Sequence, residues 1–173
     1  GEPPYKVEHY QQNLEDDGFT LAETEELTGK TDTIATANPK TYTGFTFDGT
    51  VEGTVASGNI AGDGSLVLKL YYTRNSYDVT YAYTGTVPTG ASALPEKATV
   101  KYGAPVTVAE AATAPGYTFS GWSREDGFKM PAENVTITGS FTANSNTEYT
   151  VRHHFQNILD DAYDADTAML SET

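Results

Sequence analysis

The side chains able to do chemistry are few and fall into small groups. Three histidines, His9, His153 and His154, and an acidic run, Glu15-Asp16-Asp17, echoed by Asp160-Asp161 with Asp164 and Asp166 beyond it, are the places to look for a metal or a proton relay. His9 and His153 share a strand face with Tyr and Val residues, which predicts packing or hydrogen bonding rather than ligation, since a metal site needs three or four convergent ligands. Glu15, Asp16, Asp17, Asp160 and Asp161 are the Ca2+ candidates, because Ca2+ takes several oxygen ligands, yet the Gly and Glu spacing of an EF-hand loop does not follow them. Asp also suits the backbone of hairpin turns, so a solvated turn is the competing reading. No G-x-S-x-G, H-E-x-x-H, P-loop or G-x-G-x-x-G pattern occurs, so no catalytic residue, enzyme activity or cofactor is expected.

Three further groups merit a chemical reading. Trp122 is the sole Trp, and an aromatic ring is the usual platform for a sugar; following Tyr117 and Phe119 in a Gly-Trp step, it is expected to cap a core instead. Tyr10 and Tyr71 lie opposite the core residues of their strands and are comparable aromatic candidates. Lys6, Lys69 and Lys101 sit in or near strands, where an isopeptide crosslink to Asn is conceivable. Lys6 and Lys69 point away from the apolar set, so none is expected.

What must position these groups is a repeated architecture. Tyr5-Lys6-Val7 recurs as Tyr77-Asp78-Val79 and as Tyr149-Thr150-Val151, at a spacing of 72 residues each time. Gly44-Phe45-Thr46-Phe47-Asp48-Gly49 aligns with Gly116-Tyr117-Thr118-Phe119-Ser120-Gly121 at the same 72. Leu66, Leu68 and Tyr72 match Val135, Ile137 and Phe141 at an offset of 69. His9, Gln12, Asn13, Asp16 and Asp17 return as His153, Gln156, Asn157, Asp160 and Asp161 at 144. A fixed period of this kind is the mark of a repeat protein. The chain therefore reads as unit A over 1–75, unit B over 76–146, and the opening of a third, A-type unit over 147–173.

The matched blocks read as strands. Tyr77, Val79, Tyr81 and Tyr83 alternate with Asp78, Thr80, Ala82 and Thr84, and residues 5–11 and 149–155 repeat that period of two. Leu66, Leu68, Leu70 and Tyr72 close unit A after an Asp63-Gly64 turn; Val135, Ile137 and Phe141 close unit B after Met130-Pro131-Ala132. Helix signals are thin, the best windows being Leu21–Leu27 and Val108–Thr113. The expected fold is mainly β, antiparallel for the most part, with at most one short helix per unit. Each unit has so small a core that neighbours are expected to share buried surface. The incomplete segment 147–173 is expected to be held by packing on the second unit or on a neighbouring molecule, because a lone hairpin is marginal in water.

Composition removes several functions. With 24 acidic and 10 basic side chains the net charge is −14, which argues against nucleic-acid binding, because phosphate contacts need clustered Lys and Arg. With no Cys there is no disulfide, thiolate zinc site or cysteine nucleophile. No run approaches the ~18–20 apolar residues of a membrane span, and no signal-peptide core is present. The lack of Met before Gly1 points to a segment of something longer. The A-type segments are the acidic ones, at −7 for 1–75 and −5 for 147–173 against −2 for 76–146.

Pro115-Gly116-Tyr117-Thr118-Phe119-Ser120-Gly121-Trp122, followed by Met130-Pro131-Ala132-Glu133-Asn134-Val135-Thr136-Ile137-Thr138, resembles the Listeria–Bacteroides type of bacterial surface repeat. Tyr5-Lys6-Val7-Glu8-His9-Tyr10, with Gly44-Phe45-Thr46-Phe47 downstream, is similar to mucin-binding-protein (MucBP) repeats and internalin B-repeats. The resemblance implies a β-grasp-like unit repeated along a Gram-positive, cell-wall-associated, extracellular protein, a stalk or adhesin. Its implied partners are host mucin glycans or extracellular matrix, and its own neighbouring repeats. An LPxTG-type sorting signal is absent from these residues.

Overall fold

The computed structural model describes residues 1–145 and 149–156, and among them are eleven strands and no helix. The strands are β1 (Pro4–Gln12), β2 (Phe19–Thr28), β3 (Ile34–Thr36), β4 (Phe45–Phe47), β5 (Ser57–Asn59), β6 (Val67–Arg74), β7 (Ser76–Tyr83), β8 (Ala98–Lys101), β9 (Tyr117–Phe119), β10 (Val135–Gly139) and β11 (Phe141–Ala143). They gather into two compact units. The first takes Gly1–Ala82, Leu94–Glu110 and Trp122–Thr138; the second takes Tyr83–Ala93, Ala111–Gly121 and the described residues from Gly139 onward.

In the first unit β1 is the hub. It pairs antiparallel with β2 through a hairpin turn, and parallel with β6 from Lys6↔Val67 to Gln11↔Tyr72. Strand β4 then lies antiparallel to the far edge of β6, giving the order β2-β1-β6-β4. A bulge between His9 and Tyr10 shifts the β1–β2 register. The period-two pattern has its expected physical result: Val7, His9, Leu68, Leu70 and Tyr72 point inward and are buried, joined by Ala35, Ala37 and Ile60 from the β3–β5 ribbon and the residues beside it. Leu68 and Leu70 are fully buried, each worth roughly 1.5–3 kcal/mol of hydrophobic stabilisation.

The same unit holds a second core, Val79, Val106, Met130, Val135 and Ile137, on the sheet β10-β7-β8. Hydrogen bonds from Asp78 to Asn134 and between Thr80 and Thr136 advance together along β7 and the β10 segment, as parallel neighbours require. The order β8-β7-β10 thus repeats β2-β1-β6. In the second unit β11 pairs with β9, as the end of β6 pairs with β4. A cluster of three rings, Tyr83, Phe119 and Phe141, stands there with centroids 5.1–6.4 Å apart.

Two expectations are corrected. Leu21–Leu27 is not helical but the middle of strand β2, and Val108–Thr113 is irregular chain. The former window is an edge strand whose Thr and Glu residues meet solvent on both faces, which erases the alternation that marks a strand. The alternation over 149–155 does not produce a strand, and Tyr149 and Phe155 are exposed. Its counterpart β1 is a strand because β2 and β6 flank it. The rest of the third segment, 147, 148 and 157–173, lies outside the described residues, as do the expectations that fall on it.

Candidate functional site

The densest gathering of polar groups in the first unit is built around His9. The imidazole is fully buried. Its Nε2 is 2.7 Å from a carboxylate oxygen of Glu25 and its Nδ1 is 2.8 Å from the Tyr72 hydroxyl. A carboxylate only accepts, so Nε2–H is the donor to Glu25. The backbone N–H of Lys40 donates to the Tyr72 oxygen at 2.9 Å, which leaves the Tyr72 proton for His9 Nδ1. Beyond it the Lys40 ammonium pairs with Glu23 and lies 3.6 Å from Glu25, and the Tyr42 hydroxyl donates to Glu23 at 2.6 Å.

The titrations in this network follow from its bonds. Glu23 is held below its ordinary 4.5 by the bonds from Lys40 and Tyr42. Lys40 is held above 10.5 by Glu23. Burial pushes the Tyr42 and Tyr72 hydroxyls up, and the Glu23 carboxylate pushes Tyr42 further. The network joins β1, β2, β6 and the 37–44 loop. It is sealed at His9, so no substrate reaches the imidazole; its chemistry is to hold four chain segments together. The packing role expected of His9 is what the structure shows, whereas His153 and His154 lie outside any strand.

The acidic candidates do not converge. Asp16 Oδ1 accepts from the Asn13 side-chain amide at 2.7 Å and from Gly18 N–H at 2.8 Å, closing the β1–β2 turn, and those bonds hold its carboxyl below 3.8. Asp17 lies 3.9 Å from the Lys101 ammonium instead. Glu15 and Asp16 border a shallow cleft of about 440 Å3 with Gln11, Gln12 and Asn13, but Arg74 lines it too and sets a positive charge against any cation. Among the described residues no three His, Asp or Glu side chains are grouped to hold a metal. Asp160 and Asp161 lie outside the described residues.

Trp122 is half-buried, edge-on to Tyr81 at 5.0 Å, with its Nε1–H donating to the Glu110 carbonyl at 2.9 Å. It packs on the second core, as its Gly-Trp setting predicts. On the outer face of the first sheet Tyr10 stacks on Tyr71, centroids 4.9 Å apart and planes 16° from parallel, with Phe19 edge-on to Tyr71 at 5.2 Å. The β1–β6 register sets Tyr10 directly opposite Tyr71, so the stack follows from sequence once the parallel pairing is known. Sequence reasoning missed Glu23, Glu25, Lys40 and Tyr42 because β2 went unrecognised; the only signal was the Glu23-x-Glu25 spacing of two along it.

With the geometry in place, comparison with known proteins is informative for one stretch. Residues 77–151 match the family model of the Listeria–Bacteroides repeat domain. A solved structure, "Streptococcal High Identity Repeats in Tandem (SHIRT) domains 3-4 from cell surface protein", aligns over 81% of this chain and 98% of that one at 14% identity. Its TM-score is 0.28, too low to establish a shared arrangement.

Proposed function

We propose that the chain is a non-catalytic tandem-repeat segment of a bacterial surface protein, extracellular and cell-wall-associated, serving as a stalk that carries adhesion. Its modules are β-grasp-like, 1–75 and 76–146, with a third of the first type opening at 147. The observation that carries this reading is the recurrence of one set of strand pairings: β2-β1-β6 with β4 at the end of β6, then β8-β7-β10 with β9 paired to β11. The match over 77–151 supports it. Repetition serves reach: each added module lengthens the array, and many weak contacts along it combine into avidity. The polar groups are engaged within the fold itself, His9 with Tyr72 and Glu25 in the core and Asp16 with its own surface turn.

A second reading makes the modules themselves the receptors for mucin glycans or matrix. The Tyr10–Tyr71 stack favours it, since aromatic rings on the outer face of a sheet are the usual platform for a sugar face. A glycan array probed with the whole chain separates the two. A stalk gives no signal above background; a signal lost in Tyr71→Ala establishes the second reading. Calorimetric titration with Ca2+ disposes of a Ca-stabilised repeat if it gives neither heat nor a rise in Tm.

A further inference from the structure

Where the first repeat hands over to the second, one arginine is surrounded. The Arg74 guanidinium lies 4.7 Å from the Phe45 ring centroid and 5.9 Å from that of Tyr102. Nη1 donates to the Tyr102 carbonyl at 2.7 Å, Nη2 to the Gln12 carbonyl at 3.1 Å, and the backbone N–H to the Gln12 side chain at 3.0 Å. Tyr102 N–H in turn donates to Asn75 at 2.8 Å. Its ring covers Gly44, which is buried with φ near 80°, so closely that any Cβ there would strike it. Phe45, Gln12 and Gly44 belong to 1–75, Tyr102 to 76–146, and all lie in one compact unit.

The equivalent place at the end of the second repeat is built differently. Arg74 pairs with Phe45 across β6–β4, and the same pairing position across β11–β9 is Ala143 with Tyr117. Asn75 accepts from Tyr102, and Pro3, 72 residues earlier, accepts from Gly29, so the first module has Gly29 where the second has Tyr102. Gly116 repeats the turn of Gly44, φ near 79°, with no described atom within 4 Å of where a Cβ would stand.

We infer that Arg74 and Tyr102 clamp repeat 1–75 to the part of repeat 76–146 that shares its compact unit, so that the two unfold as one cooperative body. This rests on the repeat reading above but not on its surface role, which the glycan array tests separately.

Trp122 is the sole Trp and lies in the second repeat, so its fluorescence reports that repeat alone, while far-ultraviolet circular dichroism reports both. In urea the two signals of the unaltered 173-residue chain should fall together. In Arg74→Ala and, from the other side, Tyr102→Ala, the Trp122 transition should move to lower urea and separate from the dichroism midpoint by roughly half a molar or more. Arg124→Ala removes a guanidinium from over Phe128, 4.9 Å away within the second repeat, and should leave the signals coincident. Two separated transitions in the unaltered chain, coincidence in both clamp variants, or equal separation in Arg124→Ala each overturn the inference.

Discussion

Positions 9 and 81 are 72 residues apart, both inward-facing on the first strand of a repeat, yet one is His and the other Tyr. His9 is fully buried and depends on Tyr72 and Glu25. Tyr81 keeps its ring against Trp122 and its hydroxyl on the Ala109 N–H at 2.9 Å. Both repeats catch a loop amide, Lys40 in one and Ala109 in the other, but the first does so with Tyr72 on β6 and the second with Tyr81 on β7. The backbone pairings were kept while the polar partners were exchanged as a set. A polar group placed in a small core is stable only with its partners, so such groups change together or not at all.

Breaking the larger set should cost most. His9→Ala leaves a cavity and deprives both the Tyr72 hydroxyl and the Glu25 carboxylate of a partner; a loss of about 3–5 kcal/mol is expected from urea denaturation. Next comes the paired turn. Gly44→Ala must displace the Tyr102 ring and place a Cβ at positive φ, about 2–3 kcal/mol, whereas Gly116→Ala incurs only the backbone cost, about 1 kcal/mol. Equal losses at the two glycines would mean that Tyr102 does not press on Gly44. Tyr81→Phe, which strands the Ala109 N–H without opening a cavity, should cost about 1 kcal/mol, read from Trp122 fluorescence.

The smallest effect is electrostatic. Asp16, Glu23, Asp48 and Asp63 all have lowered values and all lie in 1–75, the last two through bonds from Thr50 and Ser65. A carboxyl lowered in the folded state contributes stability above its unfolded pKa, and that is lost as pH falls through the folded value. Stability should therefore decline below about pH 4, and Glu23→Gln should flatten that limb. Lys40, Tyr42 and Tyr72 are raised, so their contribution is complete below about pH 10 and disappears as pH climbs through the folded values. A Tm series across both ranges measures the two limbs.

Strands β1, β6, β7 and β10 were legible because each buries one face and alternates accordingly. Strand β2 was not, since an edge strand carrying Glu23, Glu25 and Glu26 has no dry face to betray it. The helix windows failed for the same reason, local pattern being weaker than pairing. His9 could be placed from its neighbours, but Glu25 and Lys40 are 16 and 31 positions away, on segments whose pairing the pattern does not encode. Arg74 is hidden more thoroughly: its two ring contacts and two carbonyls come from parts of the chain that only the folded junction brings together. At 149–155 the same alternation does not form a strand, which shows that alternation marks the capacity to pair and not the pairing itself.

The parallel contact between β1 and β6 has a mechanical consequence. The chain enters the sheet at one end of β1 and leaves at the opposite end of its immediate neighbour. Tension applied through the termini therefore runs along both strands in opposite senses and loads their shared ladder in shear, so its bonds must fail together rather than peel one by one. Pulling on single molecules should accordingly show a sharp rupture force for this sheet, well above that of a hairpin unzipped from its open end.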